Sequence, residues 1–179
     1  MKFNEIPQLI ERGGYQTNVH LDYIDEKLTE WEKDEQYYRL QLNPDFQRGH
    51  VWTTDQRSKF VEFFLMGGVT GRIIYFNKPS WQGNATTDYD DFVCVDGLQR
   101  ITSIRMFMRN ELKVFGQLYD DFGQRARHAR ANTNLVFNVN NLQTKAEVLQ
   151  WYLQMNTGGT IHTDEEINRV KELLKKETN

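Results

Sequence analysis

The sequence predicts an α+β fold with a small mixed sheet and helices gathered at its C-terminal end. Three observations carry that expectation. Several apolar, β-branched runs are too short for helices and suit strands. Amphipathic stretches are opened by capping boxes at Thr53-Thr54-Asp55-Gln56, Thr144-Lys145-Ala146-Glu147 and Thr163-Asp164-Glu165-Glu166, where a hydroxyl at the N-cap is answered by Gln or Glu three residues on. Phe92-Val93-Cys94-Val95-Asp96-Gly97-Leu98-Gln99-Arg100-Ile101-Thr102-Ser103 changes from an apolar strand to a helical period within one tight turn.

Taken in order, residues 1–20 are weakly patterned, carry Gly13-Gly14, and read as an N-terminal arm or short strand. Leu21, Ile24, Leu28 and Trp31 recur at helical spacing with acids opposite, which predicts an amphipathic helix over residues 22–33. Tyr37 to Leu42 alternates and reads as a strand ended by Pro44. Residues 43–50 form a loop dense in polar groups. The helix opened by Thr53 turns Phe60, Phe63 and Phe64 inward and stops at Gly67-Gly68. Arg72 to Phe76 reads as a strand, and residues 77–91, with Trp81, as a polar hairpin tip or lid. Phe92–Val95 is the central strand, and Ile101, Ile104 and Met108 share a face of the helix after it. Lys113-Val114-Phe115 suggests a short strand, and Arg125 to Arg130 a basic segment. Leu135–Val139 is a further strand. The helices opened by Thr144 (Val148, Leu149, Tyr152, Leu153) and by Thr163 (Ile167, Val170, Leu174) make a helical part over residues 144–177. With no internal repeat or low-complexity linker, residues 1–179 read as one domain.

Composition narrows the function classes. A chain of 179 residues with 39% hydrophobic and 13% aromatic content has enough apolar surface for a core. Its net charge of −3 excludes a polyanion binder that works through global charge, so nucleic-acid contact needs a local patch. The charge is uneven: residues 1–45 hold ten acids and five bases, residues 100–130 seven bases and three acids. Cys94, the single cysteine, excludes an internal disulfide, and His20, His50, His128 and His162 show no metal-ligand spacing. The N-terminus lacks an apolar signal core and no run approaches a membrane span, so a cytoplasmic protein without membrane contact is expected.

Three loops are rich in groups that bind phosphate or a base: residues 43–50, 96–102 and 156–160. At Asp96-Gly97 a strand hands over to a helix N-terminus, where free N–H groups favour an anion and Arg100 adds a planar cationic fork. The same residues also suit a plain turn with a surface arginine. Asn156-Thr157-Gly158-Gly159-Thr160 offers close backbone approach to a ligand, or is an ordinary turn between helices. None of the loops matches GxxxxGK[ST] or GxGxxG.

Together the loops resemble a known family. Phe46-Gln47-Arg48-Gly49-His50-Val51-Trp52 looks like an FQR-x-x-x-W signature, Asp96-Gly97-Leu98-Gln99-Arg100-Ile101-Thr102-Ser103 like DGQQR-[LI]-T-[ST], and Asn156-Thr157-Gly158-Gly159-Thr160 like an NTGG loop. In that order they resemble the DUF262 family, the N-terminal domain of GmrSD-type modification-dependent restriction enzymes and related phage-defence proteins, over residues from about 20 to 175. The resemblance implies a ParB/sulfiredoxin-like core and a nucleotide-binding site. Leu98 stands where the family has glutamine. Restriction relatives continue into an HNH-type nuclease domain, for which this sequence has no counterpart, so a standalone relative is expected. Sulfiredoxin chemistry is not expected, because Cys94 lies on the strand rather than in the loop.

The resemblance makes NTP binding, with hydrolysis, the leading expectation. Asp96, Gln99 and Arg100 are the candidate catalytic residues: Asp96 would hold Mg²⁺ or orient a water, Gln99 would place the attacking water, and Arg100 would neutralise phosphate charge. Gln47, Arg48, Gly97, Arg100, Thr102, Asn156, Thr157 and Gly158 are the candidate nucleotide-binding residues. The alternative is a non-catalytic module, such as a phage-encoded decoy, that binds DNA or a defence-system protein. Arg105, Arg109, Arg125, Arg127 and Arg130 would then contact phosphates, with Trp52 and Trp81 as exposed aromatics. A ParB-like DNA nickase is a third reading.

Overall fold

The computed structural model describes residues 15–123, 133–156 and 164–178. The arm over residues 1–14, Arg125, Arg127, Arg130, Thr157, Gly158 and the cap residue Thr163 lie outside the described residues. Among the described residues, strands β1 (Tyr15–His20), β2 (Ile73–Asn77), β3 (Val93–Asp96) and β4 (Asn134–Asn140) form a single sheet in the order β1-β4-β2-β3. Helices α1 (Leu21–Lys33), α2 (Thr54–Leu65), α3 (Leu98–Met108), α4 (Lys145–Asn156) and α5 (Asp164–Thr178) complete an α+β fold. The sheet is mixed: β4 runs antiparallel to β1 and parallel to β2, and β2 is antiparallel to β3.

The period-2 alternation of the strands divides the apolar residues between two cores. Leu135, Phe137 and Val139 of β4, Ile74 and Phe76 of β2 and Cys94 of β3 join α1, α2 and α3 in the larger cluster. Val93 and Val95 face the opposite way and pack with Val148, Leu149, Trp151 and Tyr152 of α4, Val170 of α5 and Phe46. Each such side chain taken fully from water contributes about 1.5–3 kcal/mol before the entropy of ordering is subtracted. β3 is thus the strand on which both cores meet, which fixes the turn that leaves its C-terminal end.

Both capping boxes within the described residues form. Thr53 Oγ1 accepts from Gln56 N while Gln56 Oε1 accepts from Thr53 N at 2.8 Å. Thr144 and Glu147 exchange bonds in the same way. No described helix is long and apolar enough to cross a membrane.

Several local expectations are corrected. Residues 37–42 are not a strand. Asp34 Oδ1 accepts from Gln36 N and Tyr37 N, and Arg39 takes φ of 48°, so the chain turns back on α1 and only Gln41 bridges β3. Lys113-Val114-Phe115 is a tight turn closed by a single Val114–Gln117 bridge, with Phe115 at φ of 51°. Phe63 is exposed rather than inward; Val61 takes the buried position beside Phe64. Trp81 is not an exposed aromatic: its ring packs on Trp31, Tyr38 and Phe92.

Candidate functional site

The chain leaves β3 through Asp96 and enters α3 through Gly97, which occupies the N-cap position at φ of 106°. Only glycine adopts that conformation without strain. A β-carbon there would lie 2.6 Å from Ile74 Cδ1 of β2. No side-chain hydrogen bond caps α3, and Gly97, Leu98, Gln99 and Arg100 at its start line an open cavity of about 300 Å³, within the size range of small-ligand sites.

The polar residues around this turn fall into two groups. In the first, both glutamines of the signature motifs bind backbone. Gln47 Nε2 donates to the carbonyls of Cys94 at 3.1 Å and Val95 at 2.9 Å, which caps the outer edge of β3. Gln99 is buried, and both ends of its amide engage the loop ahead of α2. Its Oε1 accepts from Val51 N at 3.2 Å and Trp52 N at 3.1 Å, and its Nε2 donates to the Gly49 carbonyl. The amide of Gln99 therefore holds a loop that borders the cavity. Ser103 Oγ donates to the Gln99 carbonyl at 2.7 Å one turn later.

The second group carries charge. Arg100 pairs with Asp96 at 2.5 Å and donates its other terminal nitrogen to the carbonyls of Gly71 and Ile73, 2.9 and 2.8 Å away. Arg48, on the far side of the cavity, has a longer contact of 4.0 Å to Glu166 of α5. Arg169 of α5 donates to the carbonyls of Phe46 and Gln47 at 3.1 and 2.7 Å, so α5 clamps the loop that carries Arg48. Two guanidinium groups and the start of α3 thus border one cavity, each guanidinium with its own carboxylate partner.

Of the residues expected at the site, Gln47, Arg48, Asp96, Gly97, Gln99, Arg100 and Asn156 border the cavity together. Thr102 does not; one helical step beyond Ile101, it is half-buried away from the lining. Asn156 is turned back in part, its Nδ2 donating to the Tyr152 carbonyl at 2.7 Å. The structure adds Trp52, Gly71, Tyr152 and Met155 to the lining and Glu166 and Arg169 behind it. The apolar positions of α4 were legible as core, but nothing in their spacing told which of them border a cavity. Burial pushes the Tyr152 phenol up, and the smaller lowering by the Arg48 charge does not offset it. Burial also pushes the Cys94 thiol far up, which makes it an inert core residue.

A resident divalent cation does not fit this donor set. No three His, Cys, Asp or Glu residues cluster suitably among the described residues, and Asp96 Oδ2 is committed to Arg100. Arg105 and Arg109 are likewise committed: Asp25 accepts from Arg105 Nε at 2.8 Å and Arg109 Nη2 at 2.7 Å, and Glu32 pairs with Arg105 at 2.8 Å. Both guanidinium groups are thus paired against α1.

Comparison with known proteins gives one family. The family model described as GmrSD restriction endonuclease, N-terminal domain, matches residues 28–173. No curated protein and no solved structure matches.

Proposed function

The chain belongs to the GmrSD restriction endonuclease N-terminal domain family, and on that premise we propose that its cavity binds a nucleoside triphosphate and hydrolyses it. The observation that carries this reading is the convergence of Arg48 and Arg100, from separate motifs, on the uncapped N-terminus of α3. Phosphoryl transfer asks a protein mainly for positioning and charge neutralisation, and helix amides with guanidinium groups supply both. In this reading Arg48 is the mobile phosphate ligand, since its own pairing to Glu166 is long. Arg100 is the fixed one, braced by the Gly71 and Ile73 carbonyls. Asp96 holds Arg100 and borders the phosphate site, and Gln99 acts through the loop it holds. Magnesium enters only as the companion of the triphosphate.

Calorimetric titration with ATP tests the reading. Arg48→Ala is the cleaner variant, because Arg100→Ala would also orphan two backbone carbonyls. A lost charge-assisted hydrogen bond of about 1.5–3 kcal/mol predicts a ten- to hundredfold weaker affinity in Arg48→Ala. A folded Arg48→Ala protein that binds ATP as tightly as the wild type refutes the assignment.

A second reading, a non-catalytic protein-binding module, draws on a different observation. Phe63, Met66, Val69 and Phe115 are exposed around the C-terminal end of α2, where Phe115 N donates to Glu62 Oε1 at 2.9 Å. Wild-type protein that binds no NTP, with or without DNA, would move the weight to this face.

A further inference from the structure

We propose that the ligand is recognised as a nucleotide rather than as a bare polyphosphate, with its base stacked on the indole of Trp52. The inference rests on the nucleotide reading above and adds the element that would read the base. Trp52 borders the cavity and is only half-buried, so part of its ring remains available. Behind it stands Phe60, with ring centroids 5.5 Å apart and planes at 60°. The Phe60 ring edge and the Arg100 Cδ both approach Gly71, 3.5 and 3.4 Å from where its β-carbon would be. Trp52, Gly71 and Arg100 border the cavity, and Phe60 links them from behind. The aromatic surface of Trp52 and the Arg100 side chain that would take phosphate charge thus border the same cavity.

The placement is fixed from the other direction as well. The backbone N–H of Trp52 donates to Gln99 Oε1 at 3.1 Å, so the first turn of α3 holds the main chain that carries the indole. Tyr152, the other aromatic on the lining, is 3% exposed and spends its ring against Phe46 at 5.3 Å. Trp52 is left as the aromatic surface that a base can reach. Stacking tolerates any base because every base has a π-face, so the wall selects for a nucleoside and not for a particular one.

The test compares ATP with inorganic tripolyphosphate, by calorimetry, on wild-type protein, Trp52→Ala, Trp52→Leu and Trp52→Phe, with melting curves to confirm folding. Trp52→Leu keeps apolar packing on Phe60 without a stacking face, and serves if Trp52→Ala does not fold. Loss of one stacking contact predicts an ATP affinity about tenfold weaker in Trp52→Ala and Trp52→Leu. Trp52→Phe should stay within about threefold of wild type, and tripolyphosphate should bind all four proteins alike. Equal losses for both ligands would mean that the indole only supports the loop, and would overturn the proposal. So would unchanged ATP affinity in Trp52→Leu, or wild-type protein that binds tripolyphosphate as tightly as ATP; the phosphate site would survive either result. Wild-type protein that binds neither ligand overturns the nucleotide reading and this proposal with it.

Discussion

Replacing Gln99 by alanine separates a residue that holds the site from one that does chemistry in it. The substitution removes the acceptor of Val51 N and Trp52 N and the donor to the Gly49 carbonyl. Each hydrogen bond is worth about 0.5–1.5 kcal/mol net. Three of them would give about 3 kcal/mol in a dry interior, but Val51 is 46% exposed, and water can replace part of what the loop loses. An expected cost of about 2 kcal/mol corresponds to a melting temperature lower by about 4–8 °C for a chain of this size. The same substitution frees the segment that carries Arg48 and Trp52, so ATP affinity should fall with stability. Gln99→Glu, which keeps an acceptor and loses the donor, should lie between. Urea denaturation gives the stability, and calorimetry with steady-state turnover on the same preparations gives the split between affinity and rate. A variant with unchanged midpoint and unchanged affinity but a turnover reduced more than about tenfold would refute the positioning role, because only a group acting in the transition state produces that pattern.

Two further perturbations have defined outcomes. Asp25→Asn should destabilise by about 2 kcal/mol, below the loss for a fully buried pair because Asp25 is partly exposed and Arg105 keeps Glu32. Burial raises the Asp25 carboxyl, but the hydrogen bonds from Arg109 and Arg105 outweigh it and hold the group below the usual range. Its stabilisation is therefore fully present above the ordinary carboxylate pKa and is lost as pH falls through the lowered one. The gap between wild type and Asp25→Asn in urea midpoint should narrow on acidification; a gap constant down to about pH 2 would contradict the linkage. Gly97→Ala combines a left-handed backbone with a β-carbon 2.6 Å from Ile74 Cδ1, so a loss of about 2–4 kcal/mol is expected from strain plus overpacking. Thermal melts read it, and an unchanged midpoint would show that β2 yields more easily than its burial implies.

Local chemistry made much of the fold legible. The strand-to-helix switch at Asp96-Gly97 and the boxes at Thr53 and Thr144 depend on neighbours in sequence, and these elements stand where the pattern put them. Residues 37–42 failed because alternation outvoted Asp34, whose side chain closes an Asx turn onto Gln36 and Tyr37 before any strand can start. The site divides in the same way. Arg48, Asp96 and Arg100 were visible as charged groups in motifs, whereas the use of Gln47 and Gln99 was not, because an amide that grips backbone looks the same in sequence as one that grips a ligand. Glu166 and Arg169 were missed for a geometric reason: they meet the loop more than a hundred residues away, and helical periodicity reports which face is apolar, not which polar tip arrives at a distant carbonyl. The sheet order was illegible too, since register between strands is set by the whole topology.

That order has a consequence for how the chain is made. The strand with neighbours on both sides and the widest sequence span to them, β4, is the last of the four to be synthesised, and Tyr15 waits for Val139. Until it arrives, β1 has no described partner and the β2–β3 hairpin keeps one flank open, with Ile74 and Phe76 uncovered. A nascent chain on the ribosome therefore carries unsealed strand edges, the kind of surface that recruits chaperones or seeds aggregation. Assembly dominated by such distant pairings is slow compared with that of helical proteins. Expression fragments that stop short of Asn134 lose the keystone of the sheet rather than one strand of it.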